Sequence, residues 1–169
     1  MKENVKYEFG CIMGILNQKA SKTLLDISKK LIPNNVLYEE EEDQDYGREK
    51  EMHVTCKFGL TKNYSKKDMG KVISHIKPFL ISISGITTFN NEKFDVIKID
   101  VKSTMLTKLN KMFSKLPNED EHPIYRPHIT LAYVNPGKGN KFIREFNSIE
   151  LIINRIKYSN PIGRYFYDL

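Results

Sequence analysis

The sequence has few cysteines and no long apolar run. Cys11 and Cys56 are its only cysteines, too few for a disulfide framework or a four-sulfur zinc site. No apolar stretch approaches the roughly 18 residues of a membrane-spanning helix, and residues 1–4 do not resemble the start of a signal peptide. We therefore expect a cytoplasmic protein without a membrane partner.

The composition is typical of one folded domain. Of the 169 residues, 40% are hydrophobic and 28% are charged, and nine Phe and nine Tyr can fill a core. The 27 Lys and Arg outnumber the 21 Asp and Glu, which gives a formal net charge of +6. A basic protein attracts anionic partners, so this balance permits a phosphate ligand without establishing one.

Hydrophobic periodicity and turn residues predict many short strands and helices. Strands are expected at 6–16, 53–60, 79–89, 94–101, 128–134, 149–158 and 164–167. Helices are expected from an N-cap at Ser21 to residue 32, at 65–75 and at 104–116, with a short helical turn at 142–146. The acidic run 39–45 lies in an expected exposed loop, 38–52. Frequent hairpins favour an α+β fold with mostly antiparallel sheets.

A His-x-Thr triplet occurs twice, each time at the start of an expected strand. His53-Val54-Thr55 and His128-Ile129-Thr130 are followed by an apolar residue, a basic or small residue and an aromatic residue. Four histidines and eight threonines in 169 residues would produce fewer than one such triplet by chance. The repeated pattern indicates an old internal duplication.

Strand geometry gives each triplet a polar face. His53, Thr55 and Lys57 should project from one side of their strand, and His128 and Thr130 from one side of theirs. The residues between them, Val54, Cys56 and Phe58 in the first strand, should pack against the core. This pattern is typical of half-buried strands that line a cleft; the alternative is two ordinary solvent-facing strands.

The two motifs resemble the signature motifs of the 2H phosphoesterases, the LigT-like group. The resemblance rests on residues 52–58 and 126–133 and on the order of strands and helices over most of the chain. It implies one domain, 1–169, with two pseudo-symmetric lobes around a cleft, helices outside, and one His-x-Thr strand from each lobe. It also implies phosphodiester cleavage without metal or cofactor. Cys56 and Tyr133 depart from the usual pattern, since an aliphatic and a basic residue are more common there.

The residue types suit this chemistry. His53 and His128 can act as general acid and general base, because imidazole titrates near neutral pH. Thr55 and Thr130 can donate hydrogen bonds to non-bridging phosphate oxygens. The sequence leaves open which histidine is the base, and whether Lys57 offsets developing charge or is an ordinary strand lysine. Neither motif has metal-ligand spacing, so no metal site is expected.

A nucleotide substrate also needs cations and stacking surfaces. The candidate substrate-binding residues are Lys57, Tyr125, Arg126, Tyr7 and Phe9, with Tyr165 and Tyr167 as further aromatic candidates. Tyr125 is favoured because its loop leads directly into His128.

Several substrates fit these expectations. The leading hypothesis is a phosphodiesterase, hydrolytic or transesterifying, that acts on a small nucleotide or an RNA end. Within the family, the resemblance covers cyclic oligonucleotide messengers, 2′-5′ linkages and 2′,3′-cyclic phosphate ends. The first would suit a phage anti-defence enzyme in the host cytoplasm. The alternative is a non-catalytic protein that sequesters nucleotides or RNA; no obligate protein partner is indicated, and the oligomeric state is open.

Overall fold

A computed structural model describes residues 8–40 and 45–169 of the chain. Its seven strands are β1 Gly10–Leu16, β2 His53–Leu60, β3 Phe79–Asn90, β4 Asp95–Lys102, β5 His128–Val134, β6 Arg144–Ser159 and β7 Arg164–Asp168. Its three α-helices are α1 Gln18–Leu31, α2 Lys66–Ile73 and α3 Thr104–Phe113. Within the described residues, no helix has the length and apolar character to span a membrane.

All seven strands form one antiparallel sheet in the order β2-β1-β6-β3-β4-β5, with β7 also paired to β6. The 16-residue strand β6 joins the two parts, because residues 144–153 pair with β3 and residues 153–159 pair with β1. We call β2, β1, β7 and the end of β6 the first lobe, and β3, β4, β5 and the start of β6 the second lobe. Although β2 and β5 end the strand order, they contact each other. The sheet therefore curls, and the surface between the lobes is the cleft.

The helices repeat one arrangement in the two lobes. Helix α1 follows β1 but packs against β5 of the second lobe, and α3 follows β4 but packs against β2 of the first lobe. The units β1-α1-β2 and β4-α3-β5 are thus related by a pseudo-two-fold exchange. Apolar residues of both strands and helices, Val54, Leu106 and Ile129 among them, are fully buried between these layers. This confirms the α+β fold with helices outside a cleft.

The predicted helix starts were right for α2 and wrong for α1. Ser65 caps α2, since its side chain accepts a hydrogen bond from the amide of Asp68. Helix α1 begins four residues earlier than predicted, because Asn17 is its N-cap and accepts from the amide of Ala20 at 2.9 Å. Asparagine caps a helix as well as serine, and Ser21 lies inside the first turn.

The expected exposed loop 38–52 instead covers the edge of β5. The amide of Tyr38 donates to Tyr133 O at 3.0 Å, and the amide of Tyr133 donates to Gly47 O at 2.7 Å. The rings of Tyr38, Tyr46, Phe94 and Tyr133 pack together there, with centroids 5.2–5.5 Å apart. Unpaired strand edges invite aggregation, and this segment occupies one. Residues 41–44 of the acidic run lie outside the described part.

Other boundaries differ less. Strands β2 and β5 begin and end where the sequence predicted. The helical turn expected at 142–146 is a 3-10 turn at Asn140–Phe142, and β6 has already begun at Arg144. The first strand, expected from residue 6, begins at Gly10, and residues 1–7 are outside the described part.

The chain that leads to β5 passes so close to the end of β2 that only glycine fits at position 59. Gly59 has φ +83, and an added Cβ would lie 2.8 Å from the carbonyl oxygen of Glu119. Gly137 has φ +77 with nothing within 4 Å of an added Cβ. Left-handed backbone costs a non-glycine residue about 1–2 kcal/mol, so Gly137→Ala should lose about that much unfolding free energy. Gly59→Ala should lose about 3 kcal/mol, because the clash adds to the strain.

Urea denaturation of both variants measures this difference. Equal destabilisation of Gly59→Ala and Gly137→Ala would show that the chain near Glu119 moves away from β2 at no cost, and would contradict the close packing described above.

Candidate active site

The two motif histidines are held in the same way. His53 Nδ1 lies 2.7 Å from Glu51 O, and His128 Nδ1 lies 2.8 Å from Arg126 O. A carbonyl oxygen only accepts hydrogen bonds, so each Nδ1 is the protonated nitrogen and donates to the backbone two residues earlier. In the neutral imidazole, each Nε2 is left with its lone pair for another partner.

The motif threonines lie on the same strand faces as the histidines. His53, Thr55, His128 and Thr130 are half-buried, whereas the alternate residue Ile129 has no exposed surface, like its counterpart in β2. The polar side of each strand therefore points away from the packed core. His53 and His128 are also close enough for the charge of one to lower the pKa of the other.

A bulge in β2 changes the side-chain pattern beyond the first motif. One step along β1, from Met13 to Ile12, is matched by two steps along β2, from Thr55 to Lys57. Phe58, predicted to pack in the core, is 41% exposed and meets Phe9 edge-on, with ring centroids 6.2 Å apart. That prediction was wrong, because strict alternation assumes an unbroken ladder.

The connection from α3 to β5 is fastened to β2 by two side-chain contacts, which we call the cross-lobe clamp. Lys57 is buried, and its Nζ lies 2.8 Å from Asp120 Oδ2. The hydroxyl of Tyr125 donates to Thr55 O at 2.8 Å, and burial raises the pKa of this phenol, so it remains a donor. Both residues were predicted to bind substrate, and each instead joins β2 to the connection that leads to β5. The prediction that Lys57 shares the face of Thr55 was wrong, because the bulge pairs Lys57 with Ile12 and turns its side chain to the buried side.

His128 lies among charged and aromatic neighbours from β3 and β4. Asp100 pairs with His128 across the strands, and Lys98 pairs with Thr130. The buried Lys98 Nζ donates to Thr87 Oγ1 at 2.7 Å, contacts Asp100, and lies 4.1 Å from the ring centroid of Phe89. The Phe89 ring in turn meets the His128 imidazole edge-on, with centroids 5.2 Å apart.

These surroundings keep His128 neutral. Burial lowers the pKa of His128 most, and the positive charges of Lys98 and His53 lower it further. The hydrogen bond to Arg126 O and the carboxylate of Asp100 oppose this shift without reversing it. In the ligand-free protein, His128 is therefore suited to accept a proton.

An open cavity of about 530 Å³ adjoins these residues. Its lining includes Thr87, Phe89, Lys98, Asp100, Tyr125 and Arg126. The Arg126 side chain is exposed there. Among the candidate substrate-binding residues, Arg126 therefore supplies the exposed cation of this cavity.

The surroundings of His53 are built from other elements. Glu51, whose carbonyl holds His53, forms an ion pair with Lys157 of β6 through its side chain. The Cys11 thiol of β1 lies near Thr55, and burial raises the pKa of this thiol to about 12. Cys11 is therefore a neutral thiol at physiological pH.

The other aromatic candidates for substrate binding have different surroundings. Phe9 packs on Phe58, and Tyr7 lies outside the described residues. Tyr165 and Tyr167 pack against the core, and the Tyr167 hydroxyl donates to Lys66 O at 2.9 Å. Among residues 8–40 and 45–169, no group of three His, Cys, Asp or Glu side chains could hold a metal ion.

Sequence reasoning missed the neighbours of the motifs, although a signal existed for two of them. In β4, Lys98 and Asp100 alternate with the buried Ile97 and Ile99, which places these two charges on the face opposite the isoleucines. Which motif they adjoin depends on the pairing of β4 with β5, and this pairing cannot be derived from either strand alone.

Several solved structures have a similar fold. The protein TT0787 of Thermus thermophilus is 16% identical to this chain, with a TM-score of 0.63, and the match covers 95% of this chain and 94% of that one. A protein described as a phosphoesterase is 12% identical, with a TM-score of 0.59 and 96% of each chain covered. E. coli LigT in complex with 3′-AMP is 12% identical, with a TM-score of 0.60, covering 96% of this chain and 95% of LigT.

The likeness is one of fold. No protein-family model matches the sequence, and no curated protein matches it. LigT has also been solved with ATP, with phosphate and with NADP+. The chain therefore has the bilobal α+β fold of the 2H phosphoesterases, the family that its two His-x-Thr motifs resemble.

Proposed function

We propose that this protein is a 2H-type phosphodiesterase that cleaves a nucleotide phosphodiester by acid–base catalysis, with no requirement for metal. The observation that supports this most strongly is the matched pair of histidines. His53 and His128 each donate from Nδ1 to the carbonyl two residues earlier, so both keep Nε2 for the substrate. A phosphodiester transfer needs two such groups, one to remove a proton and one to supply it.

The reaction assigns one Nε2 to each side of the phosphorus. The base accepts the proton of the attacking hydroxyl, from water or from a neighbouring sugar, as the new O–P bond forms. The acid gives its proton to the leaving oxygen as the old P–O bond breaks. Thr55 and Thr130 donate hydrogen bonds to the non-bridging oxygens, where negative charge increases in the transition state.

The two histidines differ in their surroundings, and the difference favours one assignment. Burial and the nearby cations lower the pKa of His128, so at neutral pH it is the deprotonated partner and acts as the base. His53 then acts as the acid. In the reverse direction of transfer the roles exchange, because each group leaves the first step in the opposite protonation state.

The solved relatives support a nucleotide substrate. LigT binds 3′-AMP, ATP, phosphate and NADP+ in its structures, and each of these ligands presents phosphate oxygens. For this chain we propose a soluble nucleotide or an RNA end in the cytoplasm. The candidate bonds are those of a cyclic oligonucleotide messenger, a 2′-5′ linkage and a 2′,3′-cyclic phosphate. Removal of a messenger would give the protein an anti-defence role in a virus.

One assay separates these substrates. The protein is incubated with cyclic dinucleotides, cyclic trinucleotides, 2′-5′ oligoadenylate and 2′,3′-cyclic phosphate RNA in the presence of EDTA, and products are resolved by chromatography. We expect cleavage of at least one substrate at a rate that EDTA does not change. Tight binding without cleavage would support the sequestering alternative, and a strict need for added divalent metal would contradict the mechanism.

Replacing either histidine tests the division of roles. His53→Ala and His128→Ala should each lower turnover by roughly 10²–10⁴-fold, the usual loss for a general acid or base. The double variant should lose less than the product of the two single losses, because both groups act in one transfer.

Binding and folding provide the control for these variants. Both histidines lie on the cleft side of their strands, so each variant should remain folded by circular dichroism and should still bind nucleotide. Folded His53→Ala and His128→Ala proteins that turn over every substrate at the wild-type rate would end the two-histidine mechanism.

The pH dependence tests the assignment of the base. A plot of kcat/KM against pH should be bell-shaped, with the midpoint of its acid limb below about 6.5, the ordinary value for histidine. His128 must be neutral to accept a proton, and its lowered pKa keeps it neutral to lower pH. Lys98→Met should move this limb to higher pH, because it removes a nearby cation and leaves the Asp100 carboxylate without its lysine partner. An acid limb that Lys98→Met does not move would contradict the assignment.

The cross-lobe clamp gives a prediction about geometry. Tyr125→Phe removes the hydrogen bond to Thr55 O and should lower kcat/KM by about 3- to 10-fold, because small displacements of catalytic groups are costly. A net loss of about 1 kcal/mol of unfolding free energy is expected.

Tyr167→Phe is the matched control. It removes a phenol-to-carbonyl bond of similar length, from Tyr167 to Lys66 O, between β7 and α2. Its stability loss should be similar and its kcat/KM unchanged. A rate loss shared by both variants would mean that general destabilisation, and not the clamp, accounts for the effect.

A further inference from the structure

The first lobe has an exposed aromatic ring on the same face as its motif. Thr55 pairs with Met13, Met13 with Lys157, and Lys157 with Phe166, across β2, β1, β6 and β7. Paired residues on adjacent strands project from the same side of a sheet. Phe166 therefore shares the cleft face with His53 and Thr55, and its Cα is roughly 14 Å from that of Thr55, three strand spacings away.

Phe166 is held beside the motif through a lysine. Its side chain is 44% exposed, and Lys157 Nζ lies 5.5 Å from its ring centroid. The same Lys157 forms an ion pair with Glu51, the residue whose carbonyl holds His53. An exposed ring, a cation and a catalytic histidine are thus joined by direct contacts.

The second lobe has the same combination of groups. Lys98 lies over the ring of Phe89, forms an ion pair with Asp100, and Phe89 contacts His128. Each motif histidine is therefore accompanied by a phenylalanine whose ring meets a lysine, and each lysine is partly neutralised by a carboxylate. The two sets use different strands and are not equivalent in sequence.

We propose that Phe166, backed by Lys157, forms a nucleobase subsite on the His53 side of the cleft, with Phe89 facing the nucleoside on the His128 side. The substrate then has a nucleoside on both sides of the scissile phosphate, which is an internal linkage of a linear or cyclic oligonucleotide. A terminal 2′,3′-cyclic phosphate has a nucleoside on one side only and leaves the Phe166 subsite empty. This inference rests on the proposed phosphodiesterase function.

The proposed subsite can accept any of the nucleobases. Bases stack on aromatic rings with little sequence preference, and a nearby cation adds to the attraction. Because Lys157 already has a carboxylate partner, stacking on the Phe166 ring supplies most of the attraction for the base. Tyr165 and Tyr167, on the other side of β7, pack against the core, so stacking on this strand falls to Phe166.

The experiment compares substrates with two nucleosides and with one. We would measure kcat/KM for 3′-5′ and 2′-5′ adenylyl-adenosine and for cyclic di-AMP, against adenosine 2′,3′-cyclic monophosphate. Wild type should prefer at least one two-nucleoside substrate. Phe166→Ala should reduce the ratio of two-nucleoside to one-nucleoside kcat/KM by about 5- to 100-fold, the loss expected for one stacked base.

Ile27→Ala is the matched control. Ile27 is 42% exposed on α1, so its replacement removes a similarly exposed apolar side chain on a helix outside the cleft and should leave the ratio unchanged. A wild-type preference for the one-nucleoside substrate, or a ratio that Phe166→Ala does not change, would overturn the inference while leaving the phosphodiesterase function standing.

Binding distinguishes the two proposals if no substrate is cleaved. Calorimetry with cyclic di-AMP and with AMP should show tighter binding of the former to wild type, and Phe166→Ala should remove most of that advantage. Absence of cleavage with this result would reject the phosphodiesterase function and retain the two-nucleoside cleft. Equal affinity of both ligands for wild type and Phe166→Ala would reject the cleft as described.

Discussion

The arrangement of the molecule depends on one long strand that pairs with both lobes. Residues 144–153 of β6 form hydrogen bonds with β3, and residues 153–159 form them with β1. Because one strand serves both ladders, the lobes cannot separate without breaking it. Curling of the sheet then brings β2 and β5 together, although they are at opposite ends of the strand order. The two His-x-Thr motifs meet for this reason.

Two lysines near the cleft are buried, which lowers the stability of the fold compared with apolar residues at the same positions. Lys57 and Lys98 are each only 5% exposed, and a buried ammonium group is costly unless it is paired. Lys57 has Asp120, which fastens the connection before the second motif; Lys98 has Asp100, beside the second motif itself. A methionine at either position would fill similar space without a charge to neutralise. Their presence at the motifs agrees with a role in the geometry and electrostatics of the site.

The two motif strands could be predicted from residues next to one another in the sequence. The bulge in β2 and the neighbours of the motifs depend on pairing between distant strands. The bounds of β2 and β5 followed from alternation and flanking turn residues, which act over a few positions. The cap at Asn17 was missed because several polar residues near a helix start can serve. Phe58 was misplaced because a bulge depends on the partner strand. Lys98 was missed as a site residue because its neighbour Thr130 is 32 residues away along the chain.

The proposed catalysis requires that both histidines donate from Nδ1 to the backbone and keep Nε2 for the substrate. Nitrogen NMR of the protein with labelled histidine, recorded across pH without ligand, tests it directly because the two tautomers have distinct ring-nitrogen shifts. We expect neutral His53 and His128 both to be protonated at Nδ1, and His128 to titrate below about 6.5. Protonation of either neutral imidazole at Nε2 would contradict it.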